Sequence, residues 1–156
     1  MSSADKNISL VSEVVKLTDR QEIPIVRNND NLEAVIEAFA GAVHSRLVYV
    51  IDEKEKLCGV ISLGGLTRHL LFFHEGGGID NLHLTSMALA ENAGDFVDGP
   101  PFTVHMAENV DEVMEKMMTH KIKEVPVVDD QDKIVADITM VDLLKYCKHY
   151  FLNNDR

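Results

Sequence analysis

The sequence predicts a mixed α/β (α+β) fold built from two similar units, because most of its pattern occurs twice. Apolar residues at helical spacing and two short apolar runs of the first half all recur in the second half. The repeated segments are 32–39 with 110–117, at a distance of 78 positions, and 46–52 with 123–129 and 56–62 with 133–139, at 77. Solenoid repeats have shorter periods of roughly 20–50 residues. We therefore expect two half-domains packed by pseudo-two-fold symmetry, with clefts between them.

Each unit is expected to follow the order strand, helix, strand, strand, helix after a short lead-in helix. Helical spacing predicts the helices, and apolar runs between polar turns predict the strands. Asn31 and Asn109 stand at N-cap positions of equivalent helices, and Gly41 ends the first of these. The predicted elements of the first unit are the lead-in helix 8–17, strand 23–26, helix 32–40, strands 47–51 and 57–61, and helix 65–73. Those of the second are the lead-in helix 86–97, an opening strand in 100–104, the helix after Asn109, strands within 123–129 and 133–139, and helix 141–151.

A glycine-rich stretch at 75–80 interrupts the apolar pattern and is typical of a linker. Beyond it, residues 93–97 match 11–15 in residue type, so the lead-in segment is duplicated as well. The predicted organisation is a lead-in helix at 1–18, a first unit at 19–74, a linker with the second lead-in helix at 75–98, and a second unit at 99–152.

Composition excludes several classes of function. Hydrophobic residues make up 46% of the chain, which is enough for a core. The net charge of −11 argues against a nucleic-acid-binding surface, because phosphate contacts need clustered Lys and Arg. No apolar run is long enough to cross a membrane, and the first residues lack the features of a secretory signal. Cys58 and Cys147 lie among apolar neighbours and are interpreted as reduced, packed thiols, so we expect a cytoplasmic protein.

Two motifs of the second half carry a family resemblance. Residues 123–129 read Lys-Glu-Val-Pro-Val-Val-Asp, and residues 138–144 read Ile-Thr-Met-Val-Asp-Leu-Leu. With the duplication and the element order, they resemble the tandem cystathionine-β-synthase (CBS) domain pair over nearly the whole chain. The resemblance implies a non-catalytic regulatory module, without a cofactor, that binds an adenosine compound such as AMP, ADP, ATP or S-adenosylmethionine. It also implies a homodimer that passes its ligand state to an unknown protein partner.

The resemblance places a nucleotide site in the second unit. Asp142 would accept hydrogen bonds from the ribose hydroxyls, and Thr139 would donate one to a phosphate oxygen. A carboxylate suits a vicinal diol, and a helix N-terminus favours an anion. The same Thr-x-x-Asp spacing is also that of a capping box, which needs no ligand. The other residues implied for the walls of the site are Thr103, Val104, Ile122, Lys123, Val125 and Pro126.

The first unit departs from this motif at one position. Gly65 stands where the second unit has Asp142, although Ser62 is retained in place of Thr139. The ribose acceptor and the capping partner are both missing, so we expect the first cleft to bind a nucleotide weakly, differently or not at all. A weaker second site, for an anion, would use His44, Arg46, Ser62 and Arg68.

Asp137 is an unusual choice within an otherwise apolar strand. It either faces solvent or lies near the site, where it would disfavour a polyphosphate. A monophosphate or a cationic sulfonium ligand is therefore easier to accept than ATP.

The sequence predicts neither a metal site nor an enzyme active site. The candidate metal ligands near the linker are His69, His74, Glu75 and His83. They lack a recognised ligand spacing, so we interpret them as scattered polar residues and predict no metal. No nucleophile–base pair or paired carboxylates occur in a recognisable setting, so we expect no enzymatic activity.

The alternative function is a ligand-free interaction module that binds a protein through its dimer surface. Gly65 and Asp137 favour it, because both weaken the case for a nucleotide. The helix at 66–73 carries more apolar residues than one face can bury, which indicates an oligomer interface.

Overall fold

A computed structural model gives the structure of the protein. It describes residues 9–18, 22–75, 92–98 and 101–154. The elements are α1 (Val11–Leu17), β1 (Ile25–Arg27), α2 (Leu32–Gly41), β2 (Leu47–Ile51), β3 (Leu57–Ser62), α3 (Leu63–Glu75), a 3₁₀ helix (Ala93–Phe96), α4 (Val110–Thr119), β4 (Glu124–Val128), β5 (Ile134–Thr139) and α5 (Met140–Asn154). The chain forms two compact units: the first unit is Glu22–Pro101, and the second unit is Met1–Gln21 with Phe102–Arg156. The α+β two-unit prediction is confirmed.

The first unit is a three-stranded sheet covered by helices. In the sheet order β1-β2-β3, β1 runs parallel to β2 and β2 runs antiparallel to β3. The helix α2 begins at the predicted position, where Asn31 Oδ1 accepts a hydrogen bond from Ala34 N at 3.0 Å. Apolar residues of the strands, both helices and the 3₁₀ helix form one core. Its buried members are Val26, Leu32, Val35, Val48, Val50, Ile61, Leu66, Ala93 and Phe96.

The second unit has an antiparallel β4–β5 pair packed with α1, α4 and α5. Its core is larger than that of the first unit and includes fully buried residues from every one of these elements. The buried members are Val11, Val14, Val104, Val110, Val113, Met117, Val125, Val127, Ala136, Ile138, Leu143 and Tyr146. Strand side chains alternate between the core and the opposite face, so Val125, Val127, Ala136 and Ile138 fix the register.

The predicted opening strand of the second unit, within 100–104, is reduced to one parallel bridge. Val104 N donates to Pro126 O at 3.1 Å, and Val128 N donates to Val104 O at 2.9 Å. The next bond of such a ladder, toward residue 102, would need an N–H at position 126, which proline lacks. The strand prediction was therefore wrong in extent. Pro126, which belongs to the family-like segment 123–129, also ends the ladder.

The two β-hairpin turns are duplicated down to their hydrogen bonds. Asp52 and Asp129 each use Oδ1 to accept bonds from the amides two and four residues later, at 2.8 and 3.0 Å in both turns. The bonds from Lys133 and Gln131 hold the pKa of Asp129 below its usual value. These turns set the register of both strand pairs.

The lead-in segments match each other but pack on unexpected units. In each, the N-cap amide donates to the third residue's carboxylate at 3.0 Å: Leu10 N to Glu13 and Asn92 N to Asp95. The helix α1 belongs to the second unit, where Val11 N donates to Glu108 O. The 3₁₀ helix belongs to the first unit, although the sequence predicted a lead-in helix of the second unit within 75–98. Part of the predicted helix 86–97 and most of the 75–80 linker lie outside the described residues.

The two cysteines differ in their surroundings, and one expectation needs correction. Both thiols are free, but Cys58 is exposed rather than packed, while Cys147 is half-buried. The Sγ of Cys58 donates to Val50 O at 3.2 Å. Partial desolvation of the sulfur, and then the charge of Asp52, raise the pKa of the Cys58 thiol above its usual value, which favours the thiol over the thiolate.

Removing the cap of α4 tests the predicted helix boundary. Asn109 Oδ1 accepts bonds from Asp111 N at 2.8 Å and Glu112 N at 3.4 Å. We expect Asn109→Ala to lower the free energy of unfolding by about 1 kcal/mol, since loss of an N-cap leaves helix amides without a partner. Urea denaturation measures the change, with Asn109→Asp as the control that keeps an acceptor. Equal stability of the alanine and wild-type proteins would contradict the cap.

Candidate ligand site

The start of α5 carries the Thr-x-x-Asp motif that the sequence singled out. Thr139 N and Oγ1 both donate to Asp142 Oδ2, at 2.8 and 3.0 Å. In return, Asp142 N donates to Thr139 Oγ1 at 3.1 Å. This is the reciprocal arrangement of a capping box, and it places a hydroxyl and a carboxylate at a helix N-terminus.

The capping bonds use part of the acceptor capacity of the Asp142 carboxylate. An ionised carboxylate accepts about four hydrogen bonds through its two oxygens, and both bonds from Thr139 end on Oδ2. Both residues are half-buried, so they lie at the surface of the fold and not in its core. The cap and a ligand-binding role are therefore compatible in this geometry.

Backbone bonds bring the predicted wall residues close to this helix start. Lys123 O accepts the first helix amide, from Met140 N, at 2.8 Å. Pro126 O accepts from Val104 N, which ties the opening segment after Thr103 to the middle of β4. All eight residues predicted for the nucleotide site lie in the second unit. They occupy the segment before α4, the segment that leads into β4 together with the first half of β4, and the β5–α5 junction.

Three of the predicted wall residues, Val104, Val125 and Pro126, are buried. Val104 and Val125 are fully buried and belong to the core cluster of the second unit. Only their backbone atoms can face a ligand. Thr103 and Ile122 are half-buried and Lys123 is exposed, so these three keep accessible side chains.

Two buried carboxylates share the sheet face of Thr139. The register pairs Glu124 with Thr139 and Pro126 with Asp137, and alternate residues of a strand point to the same face. Glu124 is 7% exposed and Asp137 is 4% exposed. Asp137 therefore does not face solvent, which was one of its two predicted settings. The sequence analysis missed Glu124, although a carboxylate in an apolar strand is the same signal that singled out Asp137.

The first unit has a counterpart of the Thr139 motif, and here the sequence expectation was wrong. Ser62 N and Oγ donate to Asp98 Oδ2 at 3.0 and 2.7 Å, and Gly65 N donates to Ser62 Oγ at 3.0 Å. The capping carboxylate is therefore present, supplied by a residue 36 positions away. No local pattern could reveal Asp98, because only the fold brings it to Ser62.

The cations predicted for the first unit lie at its surface. His44, Arg46 and Arg68 are all exposed. Arg46 O accepts the first amide of α3, from Leu63 N, at 2.9 Å, just as Lys123 O accepts that of α5. The backbone frame of the motif is thus the same in both units, and the anion site remains a prediction.

A cavity of about 210 Å³ lies beside β1 and the end of α2 in the first unit. It includes the carboxylates Glu22 and Glu37 and none of the residues predicted for either site. It therefore does not bear on the nucleotide assignment.

No group of three or more metal-ligating side chains occurs within the described ranges. Of the suggested ligands, His83 and the side chains of His74 and Glu75 fall outside those ranges. Among the helices that the structure describes, none has the length and apolar character to span a membrane.

Comparison with known structures shows the same two-unit fold in several proteins. A CBS domain-containing protein from Thermotoga maritima is 28% identical, with a TM-score of 0.72, over 92% of this chain and 96% of its own. CBSX2, solved in complex with AMP, is 20% identical with a TM-score of 0.71, over 91% and 98%. A CBS domain pair solved with 5′-methylthioadenosine and S-adenosyl-L-methionine is 20% identical with a TM-score of 0.68, over 92% and 98%.

The family model of the CBS domain matches residues 11–71 and 93–149, which is well over half of the chain. The protein belongs to the CBS domain family and carries the domain twice. Each match begins in a lead-in segment, so the boundaries of the family repeat differ from those of the two compact units. Comparison with curated protein sequences gives no match.

Proposed function

We propose that the protein is a regulatory, non-catalytic module that binds an adenosine compound in its second unit. The observation that carries the proposal is the Thr139–Asp142 pair at the N-terminus of α5, in a chain of the CBS family. Proteins of the same fold that were solved with AMP, with 5′-methylthioadenosine and with S-adenosyl-L-methionine support the ligand class.

In this proposal Asp142 accepts hydrogen bonds from the ribose hydroxyls. Thr139 donates a hydrogen bond to a phosphate oxygen when the ligand has one. Thr103 and Ile122 contribute side chains to the base and ribose walls. Val104, Val125 and Pro126 contribute backbone atoms, since the first two are buried in the core. Lys123, which is exposed, is the cation of the set.

The charges near Thr139 favour a small or cationic ligand over a polyphosphate. Glu124 and Asp137 are buried on the sheet face that carries Thr139. A polyphosphate would bring more negative charge toward this acidic face than a monophosphate or a sulfonium ligand would. We therefore rank AMP and S-adenosylmethionine ahead of ATP.

The regulatory mechanism we propose is a population shift. A ligand that binds one conformation of a homodimer more tightly than another changes the populations of the two, and so the surface offered to a protein partner. The apolar helix predicted as an interface, α3, has Leu63 at 44% and Leu71 at 51% exposed, and an oligomer would cover both.

Isothermal titration calorimetry of the full chain with AMP, ADP, ATP and S-adenosylmethionine tests the proposal. We expect saturable binding near one site per chain, with AMP or S-adenosylmethionine tighter than ATP. Parallel mass measurement with and without ligand follows the oligomeric state. Absence of heat with all four compounds, from folded protein, would overturn the proposal.

The capping bonds also favour a second candidate, the ligand-free interaction module. Thr139 and Asp142 satisfy each other without a ligand, so a purely structural role explains their hydrogen bonds. This candidate predicts no thermal stabilisation by any of the four compounds and a dimer that persists without them.

A further inference from the structure

In the second unit, the hydrogen bonds of the Thr139–Asp142 motif form within one helical turn. In the first unit, a residue distant in sequence accepts the equivalent bonds. In both units a backbone amide and a hydroxyl at the end of a strand donate to one carboxylate oxygen, and a helix amide donates to that hydroxyl. In the second unit the carboxylate belongs to the helix itself. In the first it belongs to Asp98, which follows the 3₁₀ helix.

Two glycines make room for the segment that carries Asp98. A Cβ at Gly65 would lie 2.6 Å from Asp98 Oδ2, 2.8 Å from Ser62 Oγ and 2.9 Å from Asp98 Oδ1, so the carboxylate and the hydroxyl that it holds fill the space of the missing side chain. A Cβ at Gly59 would overlap the side chain of Val97. The equivalent positions of the second unit, 77 residues later, are Ala136 and Asp142, which both have a Cβ.

Backbone bonds fasten the rest of this segment to the first unit. Asp98 N donates to Val60 O at 2.9 Å, which extends the contact along β3. At the other end, Ala93 N donates to Asp30 O at 2.7 Å and Gly94 N to Asn28 O at 3.0 Å. Phe96 is 7% exposed and lies in the core between these two attachment points.

We propose that Asp98 is a releasable cap, which couples the start of α3 to the docking of residues 92–98. The carboxylate is exposed, so water can replace Ser62 as its partner. When it leaves, Ser62 N and Oγ lose their acceptor, the hydroxyl that caps Gly65 N is no longer held in place, and the segment loses one attachment. The second unit has no such coupling, because Asp142 cannot move away from its own helix. Asp98 is thus a positioning residue. We call this coupling between the start of α3 and residues 92–98 the latch, and it does not depend on whether the protein binds an adenosine compound.

Hydrogen exchange of the full chain tests the latch. In Asp98→Ala we expect the Ser62 and Ala93 amides to exchange about tenfold faster than in the wild type, the effect of losing a capping acceptor. Adding Gly65→Asp to that variant supplies a local carboxylate, as in the second unit. In the double variant Ser62 should return to within about threefold of its wild-type rate, while Ala93 stays fast. Asp130→Ala, in an exposed turn, removes the same charge as a control.

Two results would overturn the latch. Wild-type exchange at Ser62 or at Ala93 in Asp98→Ala would show that the carboxylate does not hold that site. Failure of Gly65→Asp to restore Ser62 protection would show that Asp98 does not stand in for the missing side chain. Should Asp98→Ala not fold, Asp98→Asn keeps one acceptor oxygen and should show a smaller increase of about threefold at both amides.

Discussion

Replacement of Asp142 by alanine is expected to weaken binding of the adenosine ligand by about 10- to 100-fold, since a hydrogen bond to a charged group contributes about 1.5–3 kcal/mol. Asp142 is the ionised acceptor that the proposed site offers to a ribose diol. Its capping bonds to Thr139 both use Oδ2, so the loss of ribose contacts adds to the loss of the cap. Calorimetric titration of the wild-type and variant proteins gives the ratio of dissociation constants.

The design must separate binding from the stability of α5. Loss of the cap alone should lower the free energy of unfolding by about 1 kcal/mol, so titrations are made well below the melting temperature of each variant. Asp142→Asn keeps an acceptor for Thr139 and should still bind weakly, because the charge is gone. Asp111→Asn, an exposed change of equal charge in the same unit, should leave the affinity within about twofold of the wild type. An Asp142→Asn protein with wild-type affinity would remove Asp142 from the site.

Replacement of Leu143 by alanine is expected to lower the free energy of unfolding by about 2–5 kcal/mol, through lost burial and the cavity left behind. Leu143 is fully buried and belongs to the core cluster of the second unit. It is adjacent to Asp142, so its packing also holds the first turn of α5 against the sheet. Urea denaturation of the two proteins measures the difference.

The next residue along the helix provides the matched control. Leu144 is 59% exposed, so the same deletion at that position should change the free energy of unfolding by less than about 0.5 kcal/mol. Similar losses in Leu143→Ala and Leu144→Ala would mean that the face of α5 assigned to the core is wrong.

Local patterns predicted the elements well because each depends on residues near one another in sequence. Asn31 and Asn109 cap the helices that follow them, and both hairpins form at the predicted apolar runs. The opening strand of the second unit was overestimated, since apolar character does not reveal that Pro126 lacks the amide a longer ladder needs. The lesson is that a duplicated pattern guarantees duplicated spacing, but not duplicated hydrogen bonding.

The candidate sites likewise contain some hydrogen bonds that the sequence could anticipate and others that it could not. The Thr139–Asp142 bonds follow from a spacing of three residues, so the sequence could anticipate their geometry. The Ser62–Asp98 bonds depend on a separation of 36 residues. The burial of Glu124 and Asp137 likewise depends on tertiary packing, which the period of an isolated strand does not encode.

The exchange of lead-in segments has a consequence for how the chain is made. The helix α1 needs residues such as Glu108, about one hundred positions later, for its backbone bonds, and the sheet and helices of the first unit need Ala93 and Phe96. During synthesis α1 therefore cannot form these bonds until the first unit and much of the second have been synthesised. Contacts of such long sequence separation slow folding. The order of translation thus favours closure of the first unit before the second can begin to assemble.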